Sequence, residues 1–445
     1  MPKSLSAGLV FLFAAALQSS AVADELKATG DLRWHRGNMH THSHWSDGDD
    51  YLEAIAMWYR DHDYDFLVFT DHNVLPTTER WVDVEKSKGG RKAFDKLKAK
   101  FPDWVEERET EGRLEVRLRR FDEVSERIAV PDEFLLIQGE EISDKYESYP
   151  IHMNASHVRE VLKPRGGNSV HEVMQRNLDA VMAVRKETGQ PTMIHLNHPN
   201  FGYAVTAEDM VPLVGERFFE VYNGHPGVHN SGSEQRASTE RIWDIVNTKR
   251  LVDFDLPLMY GLATDDGHSY HNIPSRASEP GRAWVMVLAE TLSPEALIES
   301  LEAGRFYATN GVMLKSIITT PKSLTVEVGA KPGETYTIDF IGTRKGFDPS
   351  SKPVVGDDGK ELHTTRVYSA DIGTTLQSSE GEKATYTFQG DEIYVRARVT
   401  SSADHPNPSE IGDKQQAWVQ PVMGPGGAKS ASQEPATGGG RRKSK

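Results

Sequence analysis

The 445-residue chain contains no cysteine. Disulfides are excluded, and so is a lipid-modified N-terminal cysteine. Any metal site must then be built from His, Asp and Glu. Positive charge is in short supply. Lys and Arg number 51 against 66 Asp and Glu, a formal net charge of -15. That balance argues against a nucleic-acid partner, which usually calls for a basic face, although a local basic pocket stays compatible with it. Beyond the N-terminus no run is long and apolar enough to span a bilayer, so no membrane insertion is expected. There is no internal repeat. The strand–helix part has no Gly-x-Ser-x-Gly elbow, so no serine nucleophile is implied.

What is present begins with "MPKSLSAGLVFLFAAALQSSAVADE". Lys3 gives a positive start, Leu5 to Leu17 is a short apolar run, and Ala21-Val22-Ala23 is a small-x-small cleavage site. Residues 1–23 are expected to be a signal peptide, and the mature protein to be periplasmic or extracellular. Hydrophobic content of 37% and charged content of 26% fit soluble globular protein. The length suits two domains.

Up to about residue 311, apolar runs alternate with helical patterns. The runs are Phe66–Asp71, Glu133–Glu141, Pro191–His198, Arg217–Gly224 and Pro257–Asp266. Between them Tyr51–Asp61, Val170–Thr188, Glu234–Lys249 and Pro294–Ala303 read as helices. This alternation predicts a parallel α/β architecture with ligands gathered at the strand ends. A charged stretch, 78–130, interrupts it, with Trp81, Phe94, Phe101 and Trp104 at amphipathic helical spacing. It reads as a helical surface insertion or as a lid. From residue 312 to 423 apolar and polar residues alternate between turn signals, which predicts a small antiparallel β-sandwich-like domain. Residues 424–445 are low-complexity and expected to be disordered.

Of the 17 histidines, all but His363 and His405 precede residue 272. Many stand at strand ends beside acids. His40 and His42 are two apart on an extended segment and share a face. Asp47 follows in a turn. Asp71 and His72, Glu140 and Glu141, His152, His195 and His198, and Asp266 and His268 complete the set. Imidazole with carboxylate suits Zn, Mn or Fe, and a bridging carboxylate suits more than one ion. Asp49 and Asp50 read as the acidic start of the next helix.

"HTHSHWSDG", "TDHN", "GEEIS", "NHPN" and "TDDGH" resemble the ordered motifs of the PHP (polymerase and histidinol phosphatase) metal-dependent hydrolases, from about Trp34 to Gly311. "IHMNAS", "FEVYNG" and "GRFYATNG" resemble the carbaryl hydrolase (CehA/McbA-like) branch. The resemblance implies a distorted seven-stranded (β/α) barrel over residues 24–311 and two to three divalent metal ions. It implies one ion on His40, His42, Glu141 and Asp266, a second on Glu141, His152 and His198, and a third on Asp47, His72 and His268. Many members carry His where this chain has Asp47. Glu140 competes with Glu141 for the bridging place. His195 becomes a neighbour of the ions or a substrate contact, and Asp71 an orienter of His72. His44 has no ligand role in the family and is expected near the mouth.

The chemistry implied is hydrolysis of a small-molecule ester by a metal-bridging hydroxide, with no protein nucleophile. His195, His268 and His271 are candidates for proton transfer. A phosphoric ester is favoured, with Arg276 and Arg305 as candidate anion contacts. A carboxylic ester or carbamate is the alternative substrate. A non-catalytic binding module and a nuclease are alternative functions.

Overall fold

The computed structural model describes residues 24–427 except 216. The expected signal peptide and residues 428–445 of the expected tail lie outside them. Among the described residues no helix is long and apolar enough to cross a membrane.

One mixed sheet of thirteen strands runs through the molecule. Its strands in chain order are β1 (Arg33–Asn38), β2 (Phe66–Phe69), β3 (Leu135–Tyr146), β4 (Tyr149–Ser156), β5 (Met193–Leu196), β6 (Phe218–Asn223) and β7 (Tyr260–Thr264). They continue as β8 (Trp284–Ala289), β9 (Phe306–Thr309), β10 (Tyr336–Arg344), β11 (Thr374–Glu380), β12 (Glu392–Asp404) and β13 (Lys414–Met423). β1, β2 and β3 are parallel neighbours, and so are β5, β6 and β7. Every residue of β2, β5 and β6 is buried, as parallel strands covered on both faces require. Among the covering helices, Val170–Thr188 starts at Ser169, whose side chain accepts the Glu172 N–H, and stops at Gly189, where φ is 70°.

The chain is mixed α/β but richer in sheet than simple strand–helix alternation predicts. β4, which carries "IHMNAS", runs antiparallel to both β3 and β5. The sheet also does not stop at seven strands. β1 and β7 are not paired along their length: Thr41 bridges Gly267 beyond both strands, and the Asp265 N–H donates to Asn38 Oδ1 at 3.0 Å. The remaining edge of β1 takes up β8, and the sheet continues through β9, β13, β12, β10 and β11. These last strands face a four-stranded sheet (Asp24–Lys27, Leu314–Thr320, Ser323–Val328, Lys383–Thr387). The two share one apolar cluster that includes Leu324, Val326, Ile338, Phe340, Val395 and Ala397.

The charged insertion is only partly helical. It holds helices Gly90–Lys100 and Phe121–Ile128 and an antiparallel sheet of Arg80–Asp83, Glu107–Thr110 and Arg113–Leu118. The reason is local. Glu111 and Gly112 both have positive φ, 55° and 73°, and close a two-residue hairpin between Thr110 and Arg113. "RLEVRL" then alternates as a half-buried strand. Phe94 and Phe101 are buried in the core.

A buried ion pair joins the strand–helix part to the C-terminal strands. Asp244, on helix Thr239–Lys249, accepts two hydrogen bonds of 2.8 Å from the Arg396 guanidinium and one of 2.7 Å from the Tyr394 hydroxyl. Arg396→Ala would leave the Asp244 carboxylate buried without its cation. We expect a loss of about 3–5 kcal/mol, read as a lowered urea midpoint. Arg398→Ala, at a partly exposed position, should lose less than about 1 kcal/mol.

Candidate metal centre

Most of the predicted ligands sit just past strand ends, while Glu141 and His152 lie within β3 and β4, and backbone hydrogen bonds tie consecutive segments together. His42 N–H donates to the Gly267 carbonyl at 2.9 Å, Thr70 N–H to Thr41 at 2.9 Å, Glu141 N–H to Asp71 at 3.2 Å, and Asn197 N–H to His152 at 3.0 Å. Gly224 N–H reaches the Thr264 carbonyl at 2.8 Å. Asp266 adopts φ 50°, a left-handed conformation that Asp tolerates better than most residues. Side chains from six separate stretches thereby face one centre.

Glu141 lies at the middle, fully buried. Its Oε1 is 3.5 Å from His40 Nε2, 3.0 Å from His152 Nδ1 and 3.6 Å from His198 Nε2. Its Oε2 is 3.3 Å from His42 Nε2 and 2.8 Å from His72 Nδ1. Asp266 Oδ1 is 3.2 Å from both His40 and His42 Nε2 and 3.5 Å from His268 Nδ1. Asp47 Oδ1 is 3.7 Å from His42, 3.5 Å from His72 and 3.2 Å from His268. Most of these spacings are long for hydrogen bonds. They match donors arranged around one cation, since two ligands at about 2.1 Å in tetrahedral geometry stand about 3.4 Å apart. His40 Nε2 and His42 Nε2 are buried polar atoms without a hydrogen-bond partner. Buried polar atoms are rarely left so, and a cation between them supplies the missing partner. The donor set therefore fits divalent ions.

Four groups of ligand atoms lie within 4.8 Å of one another: His42, Asp47, His72 and His268; His40, His198 and Asp266; His40, His42 and Glu141; and His72, Glu141 and His152. All nine predicted ligands are brought together. The groups overlap, and they divide differently from the division the resemblance implies. His198 groups with His40 and Asp266, and His72 joins Glu141 as well as Asp47.

Charge within the cluster is mutually compensating. Burial alone would lower the His40 pKa, but Asp266, Glu220 and Glu141 together raise it well above the usual imidazole range. Burial is likewise overcome at His72, which Glu141 above all lifts to about 9. Burial and the neighbouring His268 pull His42 down to about 3. Despite burial, Glu141 and Asp266 are held well below the carboxylate range by the surrounding imidazoles. Ions entering this cluster would displace protons from the imidazoles.

A second layer holds the first. Glu220, from the middle of β6, meets His40 Nδ1 at 2.7 Å and accepts from the His198 N–H at 2.8 Å, the Thr264 hydroxyl at 2.8 Å and the Asn223 amide at 2.7 Å. The Asn197 amide donates to Glu141 Oε1 at 2.7 Å. Sequence reasoning passed over Glu220, although an acid inside the apolar run "RFFEVYNG" was its signal. His225 was also missed, in the loop after "FEVYNG". Its ring lies 5.6 Å from that of His268, and burial keeps its pKa below the usual range.

The other residues singled out in the sequence take places outside the ligand groups. Glu140 points away from the cluster, accepts the Leu162 N–H, and is pushed by burial to about 7. His195 is buried behind the ligands, with Nε2 3.4 Å from Glu220, and contacts no open face. His271 Nε2 is bonded at 3.0 Å to the Asp49 carbonyl, which makes it part of the loop scaffold. Asp71 does not touch His72. It accepts from Ser43 N–H at 2.8 Å, Ser43 Oγ at 2.7 Å and Ser46 Oγ at 2.6 Å, and so shapes the turn that carries Asp47. His44 is buried against Tyr51, with Nδ1 3.0 Å from the Gly48 carbonyl. Asp49 and Asp50 immediately precede helix Leu52–Asp61, and Asp50 Oδ1 accepts the Tyr51 N–H at 3.0 Å. Asp49 accepts the Tyr270 N–H, and buried Asp50 pairs with Lys96 of the insertion. Arg305 lies beside Leu288 and Ala289 at the opposite end of the strands, paired with Glu299 at 3.3 Å. Arg276 is exposed on the loop after His271.

The insertion meets the cluster at Asp47. Lys88 donates to the Asp47 carbonyl, and a cavity of about 430 Å³ is lined by Asp47, His44, Arg80, Lys86 and Lys88 among others.

No family profile matches the sequence, and no curated protein matches it. Among solved structures it is similar to a two-domain protein from Bacteroides vulgatus containing a predicted PHP-like metal-dependent phosphoesterase. The identity is 13%, 88% of this chain and 96% of that one are covered, and the TM-score is 0.37. It is also similar to an amidohydrolase from Chromobacterium violaceum with bound sulfate and no metal, at 12% identity, 53% and 88% coverage and a TM-score of 0.27.

The adjacent glutamates should behave oppositely. Glu141→Gln should lose bound metal, measured by elemental analysis. Glu140→Gln should keep it. A carboxyl raised to about 7 by folding penalises the folded state increasingly as pH rises from its unfolded value towards 7. The stability of Glu140→Gln relative to wild type should therefore climb between pH 4 and pH 8. A pH-independent difference in thermal midpoint would refute this.

Proposed function

We propose that this chain is an exported metal-dependent hydrolase of ester bonds, built on a PHP-type distorted barrel, with phosphoric esters as its substrates. The observation that carries the proposal is Glu141, a buried carboxylate with five imidazole nitrogens within 3.6 Å. Divalent ions bound there would acidify a water molecule and polarise the ester oxygen. The chain's own part is positional. His40, His42, Asp47, His72, Glu141, His152, His198, Asp266 and His268 hold the centre, and Glu220 fixes the His40 ring through its Nδ1. Among the three candidates for proton transfer, His268 alone stays beside the cluster, where it also serves as a ligand. Arg80, Lys86 and Lys88, lining the cavity beside Asp47, favour an anionic substrate and hence the phosphoric ester. The N-terminal 23 residues support export.

Bound metal per chain should be measured first. Hydrolysis of p-nitrophenyl phosphate, bis-p-nitrophenyl phosphate and p-nitrophenyl acetate should then be followed with Mn and Zn. We expect the phosphoric esters to be preferred and chelation to abolish turnover. His42→Ala with Asp266→Ala should lose both metal and activity. Wild-type turnover by that double variant would sink the assignment. Lys86→Ala should raise KM for the phosphoric ester about two- to fivefold, as loss of one exposed charge allows, and leave the acetate ester unchanged. The reverse preference would favour a carboxylic ester or carbamate substrate.

A further inference from the structure

The histidines around the centre are nearly all committed. His195 faces Glu220, His271 is bonded to the Asp49 carbonyl, and His44 is bonded to the Gly48 carbonyl. His225 is different. It follows β6 on a half-buried loop, with Asn223 Oδ1 accepting its backbone N–H at 2.8 Å. The backbone N–H of Gly227 donates to its Nδ1 at 2.9 Å. An amide N–H can only donate, so Nδ1 is the accepting nitrogen and the ring proton sits on Nε2. Among the described residues Nε2 meets no hydrogen-bond partner. The ring stands edge-on to His268 (5.6 Å, 73°) and to Phe201 (5.8 Å, 89°). Phe201 in turn lies 5.1 Å from His198. A neutral imidazole with one N–H to give is thus held at the rim of the ligand cluster by its own loop.

We propose that His225, through Nε2–H, donates a hydrogen bond to the substrate oxygen on which negative charge builds during hydrolysis. This rests on the hydrolase reading above. In the reaction, the oxygen of water bonds to phosphorus as the ester P–O bond breaks, and a water proton ends on the departing alcohol. His225 keeps its own proton throughout. Its contribution is electrostatic, that of a donor fixed in advance by the Gly227 contact.

The test uses the full chain loaded with Mn or Zn. His225→Phe should retain metal content and thermal midpoint but lose about 100-fold in kcat on bis-p-nitrophenyl phosphate, the scale of one lost oxyanion donor. His225→Gln, which keeps an N–H donor, should recover part of that loss. Selective ¹⁵N-histidine labelling, with the His225 signal assigned by its absence in His225→Phe, should place the proton on Nε2. A kcat for His225→Phe within threefold of wild type would overturn the proposal, and so would a proton found on Nδ1. The labelling result does not depend on turnover. It therefore separates failure of this proposal from failure of the hydrolase reading, in which wild type itself would be inactive on every ester.

Discussion

A single buried carboxylate surrounded by imidazoles organises this molecule. Glu141 has no exposure to water, and its two oxygens meet nitrogens delivered from β1, β2, β4 and β5 or the turns that follow them. A carboxylate in that position is costly unless positive charge surrounds it. Imidazoles crowd it, and divalent ions bound among them would supply the positive charge. The requirement for convergence explains much of the surrounding architecture. Segments far apart in sequence must be held to within a few tenths of an ångström, and the backbone bonds past the strand ends do this.

The second layer shows how the same economy is applied again. Glu220 fixes His40, binds the His198 backbone and is itself held by Thr264 and Asn223. Asp71 performs a comparable task for the turn around Asp47 through Ser43 and Ser46. In both cases a buried acid organises a ligand segment without taking a ligand place. Rigid placement of this kind is what a multinuclear centre needs, because small errors in ligand position are felt by every shared ion.

The two additions to the strand–helix part both reach into it. The insertion fastens the histidine-rich loop through Lys96 with Asp50, Lys88 with the Asp47 carbonyl, and the Trp45 indole donating to the Arg119 carbonyl at 3.1 Å. The C-terminal strands extend the main sheet and are locked to it by Asp244 with Arg396. Gln420 reinforces the joint by exchanging hydrogen bonds with the backbone of Gly261 in β7, at 2.9 and 2.8 Å. His405 accepts no ligand role and instead bonds the Arg282 carbonyl at 2.8 Å.

Sequence alone determined which residue types were available and where they clustered. With no cysteine, His, Asp and Glu were the ligand chemistry at hand, and His40, His42, His72, His152, His198 and His268 stood beside acids. The apolar runs of β2, β5, β6 and β7 and the helix Val170–Thr188 were legible because burial and helical spacing are local, periodic signals. Tertiary structure decided the rest. Which of Glu140 and Glu141 faces the centre depends on strand pleat and pairing, since neighbours on a strand point to opposite sides. The antiparallel placement of β4, the sheet running on past β7, and the hairpin in the insertion all depend on pairing partners that the local pattern does not name. The role of Glu220 and the retreat of His195 follow from long-range packing. A side chain's chemistry is written in its residue, but its partner is set by whatever the folded chain places beside it.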